Sequence, residues 1–289
     1  MKIIKVLHSK DGSTSKYLQE TKDRHIIETG YYNLDENILC ISSQIGCSMG
    51  CIFCATTEPV KDNSRTKSFI RNLTSDEIVQ ECRNVLNSID RNNLKSKGIL
   101  FSFMGMGEAF QNYNNVLENI RRLGRDYNNS RFTISTVGNE VELIKKLAHE
   151  KTNRLLKLHL SLHAPDDKLR KKILPKAKSI KPALDALKYF SSERGVTSKV
   201  IYVLIKGIND SKENAIKLAN LLTNYPFVVK FSRLNKFRNL EPSGMETLEM
   251  FEKILSASGI KSCRFISDGG DIKAGCGQLR KDFLETFER

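Results

Sequence analysis

Six times along the chain a short run of β-branched and aromatic residues gives way to a stretch of helical spacing. The strand candidates are 38–44, 99–105, 131–138, 155–164, 199–207 and 228–235. The first helix opens at Thr74-Ser75-Asp76-Glu77, an N-cap followed by early acids, with Ile78, Val79, Cys82, Val85 and Leu86 as its apolar face. Further helix candidates cover 115–123, 140–149, 182–192, 212–222 and 246–258. Strands joined through helices run parallel, because a hairpin turn cannot make the crossover. The class is therefore α/β. A closed barrel needs about eight such units. Six leave an open or partial barrel, or a doubly wound sheet, and periodicity does not choose between them. In either fold the reactive groups gather beyond the C-terminal ends of the strands. Those ends carry Cys47, Cys51 and Cys54, then 105–108, 135–138, 161–163, 207–210 and Asn235. Residues 1–36 read as short strands around the turn Asp11-Gly12-Ser13, a small flanking sheet. Residues 37–289 form the main body, ending in a strand-like run from Cys263, a Gly-rich stretch and a last helix.

Composition narrows the function. The 289 residues are 39% hydrophobic and 28% charged, enough apolar content for a core and too mixed for wholesale disorder. No apolar run approaches the roughly 18 residues that span a bilayer, and the N-terminus has no hydrophobic leader, so a cytoplasmic protein without a membrane is expected. In that reducing compartment seven cysteines are thiols, metal ligands or catalysts before they are structural disulfides. The net charge of +14 suits a polyanion, although a solvated basic surface explains charge alone equally well. With no Trp and 8% aromatics, no base-stacking platform stands out.

Cys47, Cys51 and Cys54 form CxxxCxxC, with Gly46 and Gly50 easing the turn. Three thiolates so close can wrap one metal centre. An iron–sulfur cluster held by three cysteines leaves one iron open to a small ligand. A zinc site completed by another Cys or His fits the spacing as well.

The pattern Gly46-Cys-Ser-Met-Gly-Cys-Ile-Phe-Cys-Ala55 at the end of a first βα strand resembles the radical S-adenosylmethionine (SAM) signature. The wider match is to the RlmN/Cfr family of RNA adenosine C-methyltransferases. It rests on Cys40-Ile-Ser-Ser-Gln-Ile-Gly-Cys47, Phe103-Met-Gly-Met-Gly-Glu108, Ile134-Ser-Thr-Val-Gly138, Ser161-Leu-His-Ala-Pro165, Gly207-Ile-Asn-Asp210 and Gly270-Asp-Ile-Lys-Ala-Gly-Cys-Gly-Gln-Leu279. Ala109 stands where RlmN members usually carry Pro, which brings that stretch closer to Cfr.

The resemblance implies a partial (β/α)6 barrel with a short N-terminal β extension and a C-terminal strand, loop and helix. It implies methylation of carbon 2 or carbon 8 of an adenosine in rRNA or tRNA, and a reducing partner such as flavodoxin or ferredoxin. Cys47, Cys51 and Cys54 would hold a 4Fe–4S cluster. Gly107 and Glu108 would meet the SAM amino group, and Ser135, Ser161, Leu162, His163 and Asn235 would make further SAM contacts. Cys276 would carry the methyl group as a thioether. A 5′-deoxyadenosyl radical would remove a hydrogen from it, the methylene radical would add to the base, and Cys40 would release the product through a transient Cys40–Cys276 disulfide. Glu28 aligns with a family glutamate that accepts a proton, at a spacing from Cys40 one residue shorter than the family's. Cys82 and Cys263 match no such role and read as packing. The chain also starts near the catalytic part, without the N-terminal helical domain usual in the family. The positive charge would then sit on the catalytic body, with Lys230, Arg233, Lys236 and Arg238 as first RNA contacts. A non-RNA substrate for the same mechanism, or a non-catalytic metal-bearing RNA-binding protein, are the rival readings.

Overall fold

The computed structural model describes residues 1–62, 65–89, 98–265, 270–272, 275 and 277–287. Strands rich in Val, Ile, Leu and Phe line up in one sheet: β1 (Lys2–His8), β2 (Thr14–Glu20), β3 (Ile26–Asn33), β4 (Asn37–Cys40), then, after two small hairpins, β9 (Ile99–Phe103), β10 (Ser130–Thr136), β11 (Leu156–Ser161), β12 (Lys199–Val203), β13 (Val228–Ser232) and β14 (Ser262–Phe265). The intervening β5 (Gln44–Gly46), β6 (Val60–Asp62), β7 (Arg65–Lys67) and β8 (Phe69–Asn72) pair as β5–β8 and β6–β7 outside that sheet. From β4 through β14 every neighbouring pair is parallel. The crossovers are α1 (Ser75–Leu86), α2 (Tyr113–Asp126), α3 (Val141–His149), α4 (Asp167–Ile173) with α5 (Ile180–Arg194), α6 (Lys212–Leu222) and α7 (Met245–Ala257); α8 (Gln278–Phe287) ends the chain.

Local chemistry sets these elements. At α1 the Thr74 hydroxyl accepts the Glu77 N–H while the Glu77 carboxylate accepts the Thr74 N–H, so the capping box expected from sequence forms. The parallel strands alternate: the face the helices cover is apolar, with Phe101, Phe132, Leu158 and Phe231 in the core, and the other face is more polar, with Ser102, Thr133, His159 and Lys230 lining a cavity. Phe101 and Phe132 stack across β9 and β10 at 5.3 Å, and Phe190, Leu184 and Leu187 of α5 are buried in the same core. Each such side chain contributes about 1.5–3 kcal/mol on burial.

Two expectations change. The N-terminal strands are not a separate flanking sheet: β3 pairs antiparallel with β4 and continues the main sheet, its first seven residues all buried. The candidate strand 38–44 also divides. The main strand stops at Cys40, and Gln44–Gly46 turns away to pair with β8. The Ser43 and Gln44 N–H groups both donate to Met106 O, which pulls this stretch onto the loop after β9. A helix that the sequence pattern does not announce, α4, sits between β11 and α5.

Candidate active site

The loop after β5 carries Cys47, Cys51 and Cys54. Cys47 N–H donates to Ser68 O at 2.7 Å, Ile52 N–H to Ile173 O at 3.1 Å, and Cys54 N–H to Cys51 O at 3.2 Å. A turn of 3-10 helix, Ala55–Thr57, closes the loop, and the Thr57 hydroxyl donates to Cys54 O. A second apolar cluster of Met49, Ile173, Leu174, Val203 and Leu234 fastens the loop against the strand ends. All three cysteines line one chamber of about 200 Å³, together with Met104, Gly107, Glu108, Ser135, Ser161 and His163. Strand-end residues separated in sequence thus meet around the cysteine loop.

Glu108 is 5% exposed, and both its oxygens are engaged. Oε1 accepts the Phe110 N–H at 3.2 Å and Oε2 the Val137 N–H at 3.0 Å. Burial pushes its carboxyl up from the ordinary range, opposed by the donors from Val137, Thr136 and Phe110. At Gly107 the chain passes so close to Gln44 that a Cβ would stand 2.6 Å from the Gln44 Cβ. Gln44 Oε1 in turn accepts the Glu108 N–H at 2.8 Å.

His163 takes a left-handed backbone, with φ 57°. Its Nδ1 accepts the Val203 N–H at 3.1 Å, which leaves the ring proton on Nε2, and burial holds its pKa down at about 3. The ring is neutral and packs edge-to-face on Phe53 at 4.9 Å. The buried Ser135 Oγ has no hydrogen-bond partner among the described residues. A buried orphan of this kind on a chamber wall is what a polar ligand would satisfy. The Leu162 side chain lies in the core; its N–H donates to Ile201 O, and its carbonyl accepts from Arg170 Nε.

A second chamber of about 220 Å³ adjoins the first. They share Phe53, Cys54, Met104, Gly105, Val203 and Ser232. Cys40, Glu28, Ser102, Thr133, His159, Lys230, Asn235 and Gly275 line the second. Asn235 therefore faces the Cys40 chamber rather than the cysteine-loop chamber. Cys276 lies outside the described residues, but Gly275, which precedes it, is on this wall. Glu28 is buried, ion-paired with Lys16, and accepts the N–H groups of Gly277 and Arg280. Cys82 is fully buried in the core, and Cys263 accepts a contact from Lys199 Nζ at 3.6 Å.

The basic residues sort differently from the sequence expectation. Lys230 points into the second chamber with Nζ 4.0 Å from the Phe265 ring centroid, and burial, then Lys199, holds its amine down at about 8. Arg233 lines the same chamber. Lys236 pairs with Glu241 at 2.9 Å and Arg238 with Glu58 at 3.0 Å. Lys168, Lys171, Lys172 and Lys176 are instead exposed on and after α4, beside the cysteine loop, with no ion pair among the described residues.

Sequence reasoning missed Arg170. It is 1% exposed and donates to four carbonyls: Val137 O at 2.6 Å, Ser161 O at 2.9 Å, Leu162 O at 3.2 Å and Lys178 O at 2.8 Å. It braces the ends of β10 and β11 from beneath. A run of basic residues in a short helix gives no hint that one of them is buried.

The donor set fits a cluster with a bound amino acid: three thiols on one wall, an orphaned hydroxyl and a buried carboxylate on the others. Among the described residues no three Cys, His, Asp or Glu side chains meet closely enough to enclose a single metal ion, and no helix is long and apolar enough to cross a membrane. Residues 41–219 match the radical SAM superfamily, whose cofactors are SAM and a 4Fe–4S cluster. The chain is 36% identical to the probable dual-specificity RNA methyltransferase RlmN of Dictyoglomus thermophilum, over 99% of this chain and 80% of that protein. It is also 36% identical to the protein of the same name from Thermotoga maritima, over 97% and 79%. Its fold superposes on a radical SAM methyltransferase from Sphaerobacter thermophilus with a TM-score of 0.85 at 34% identity, covering 97% of this chain and 81% of that one. The chain belongs to the RlmN family of radical SAM RNA methyltransferases.

Proposed function

We propose that this protein methylates a ring carbon of adenosine, carbon 2 or carbon 8, in rRNA or tRNA through an S-methylcysteine on Cys276. The observation that carries the reading is the shared wall between the two chambers: cofactor-holding residues stand on one side and Cys40 on the other. Cys47, Cys51 and Cys54 hold the 4Fe–4S cluster. Gly107, Glu108, Ser135, Ser161 and His163 surround SAM, with the Glu108 carboxylate toward its ammonium, while Leu162 supports that wall from the core and Asn235 stands on the Cys40 side. When bound, the cluster and SAM supply the methyl group and the one-electron chemistry that activates it.

The chain's own thiols do the rest. As a thiolate, Cys276 would be the nucleophile that accepts the methyl group a bound SAM would supply, the new C–S bond replacing the sulfonium C–S bond. Once the base is joined to Cys276 through the former methyl carbon and has lost its ring proton, Cys40 attacks the Cys276 sulfur. The S–S bond forms, the C–S bond breaks, and the released carbon takes a proton to become the methyl. A reducing partner of the flavodoxin or ferredoxin kind supplies electrons. The protein works in the cytoplasm, where such partners and RNA are found.

Nucleoside mass spectrometry of rRNA and tRNA from cells with and without the protein tests the reading and identifies the carbon. Loss of a methyladenosine is expected. Unchanged RNA, or bound zinc with no SAM cleavage, refutes it. In vitro, Cys276→Ala takes no methyl, and Cys40→Ala accumulates a covalent RNA adduct.

A further inference from the structure

Glu28 resembles a family proton acceptor, yet its surroundings suit a different task. The carboxylate is 3% exposed and ion-paired with Lys16, itself 4% exposed. Its Oε1 also accepts the Gly277 N–H at 3.2 Å, and its Oε2 accepts the Arg280 N–H at 3.0 Å. These two donors stand at the start of α8, where the first N–H groups have no acceptor within the helix. Glu28 thus caps α8 from a strand more than two hundred residues earlier in the chain. Arg280, 3% exposed, adds a donation from Nε to Ile26 O at 2.7 Å on the same strand.

The other side of this helix end abuts the cysteine loop. Gly277 has φ +76°, and a Cβ there would stand 2.5 Å from both the N and the Oγ1 of Thr56. Lys281 Nζ reaches Glu58 at 3.0 Å, just past that loop. Gln278 Nε2 donates to Lys236 O at 2.9 Å. The residue that follows Cys276 in the chain is therefore gripped between β3 and the segment that follows Cys54.

We propose that the buried Lys16–Glu28 pair is a positioning device that seats the Cys276-bearing end of the chain against the cluster loop. Glu28 is then a positioning residue that acts through Cys276, and its oxygens serve as hydrogen-bond acceptors. Lys16, ion-paired with it, holds the carboxylate aimed. The inference rests on the proposed methyl-carrying role of Cys276. It separates from a proton-acceptor role because the first methyl transfer, from SAM to Cys276, does not involve the base and can be measured with SAM alone. A proton acceptor for the base has no part in that step.

The test uses the reconstituted holoenzyme as wild type, Glu28→Ala, Glu28→Gln, Lys16→Met and Lys16→Arg. Three quantities are read: methylation of the Cys276 peptide with SAM alone, hydrogen exchange at the Gly277 and Arg280 amides, and reductive SAM cleavage as a check on the cluster. Glu28→Ala and Lys16→Met are expected to slow Cys276 methylation about tenfold or more. Amide protection should drop by roughly ten- to a hundredfold, the value of hydrogen bonds to a charged acceptor, while SAM cleavage continues. Lys16→Arg should restore both, and Glu28→Gln should recover part, since an amide oxygen still accepts. Wild-type methylation rates in Glu28→Ala and Lys16→Met, with arrest only after RNA is added, would overturn the proposal in favour of proton transfer. If Glu28→Ala does not fold, Lys16→Met and Glu28→Gln decide. Unprotected Gly277 and Arg280 amides in the wild type overturn the docking directly. A wild-type chain that never takes a methyl refutes the functional reading instead, and the exchange data then judge the docking alone.

Discussion

Replacing Arg170 with methionine should unbrace the chamber proposed to hold SAM. The guanidinium donates to four carbonyls, of which Val137 O, Ser161 O and Leu162 O terminate the strands that carry Ser135, Ser161 and His163. Hydrogen bonds from a charged donor contribute about 1.5–3 kcal/mol each, so four sum to about 6–12 kcal/mol. Against this, burial holds the Arg170 pKa down at about 10 from 12.5, a cost on the order of 3 kcal/mol for keeping the charge. The terms are not additive, and water reaches part of the vacated space. A net loss of about 4 kcal/mol is expected for Arg170→Met, and about half that for Arg170→Lys, which keeps the charge and one or two of the bonds. For a chain of this size that is a fall of about 7 °C in melting temperature. Calorimetry measures the stability, and equilibrium dialysis with SAM measures the site, where affinity should weaken about tenfold if the strand ends splay. A methionine variant that melts within about 2 °C of wild type and binds SAM as well would refute the brace.

Glu81, fully buried on α1, has its carboxyl pushed up to about 8 from 4.5, burial outweighing the donors from Ser42 and Thr29. The folded state holds this proton where the unfolded chain has released it, so stability falls as pH rises from about 4.5 to about 8. Glu81→Gln should flatten that slope and be the more stable protein at pH 8, by urea unfolding across the pH range; an unchanged slope contradicts it. Gly107→Ala should lower SAM affinity by at least about tenfold while leaving the iron content unaltered, because its Cβ would push Gln44 and the loop apart. Reversing Lys171, Lys172 and Lys176 to Glu should weaken RNA binding and make its salt slope shallower by roughly one for each phosphate no longer neutralised. Binding that keeps its salt slope would move the RNA face elsewhere.

Much of the architecture was legible because burial patterns are local. Six of the seven parallel strands, the capping box at Thr74 and the cysteine loop all follow from residues near one another in sequence. The end of the strand at 38–44 is not legible in this way, because Ser43 and Gln44 answer to Met106, more than sixty residues away. The N-terminal strands read as a separate sheet because nothing in 1–36 tells which edge they join; only the β3–β4 pairing does.

The site divides the same way. Spacing alone proposes that Cys47, Cys51 and Cys54 share a centre, and order along the chain proposes that Glu108, Ser135, Ser161 and His163 face it, since strand ends of a parallel sheet collect on one side. The structure brings those residues to one chamber and sends Asn235 to the next. It also turns Lys230 inward, and gives Arg170 and the Lys16–Glu28 pair tasks that no motif announces. Hydrophobic period and ligand spacing are properties of a short segment, so the sequence by itself determined the α/β class and proposed the thiol centre. The partner of a buried charge is chosen by whichever distant backbone group is left unsatisfied when the layers close, and that choice exists only in the folded chain.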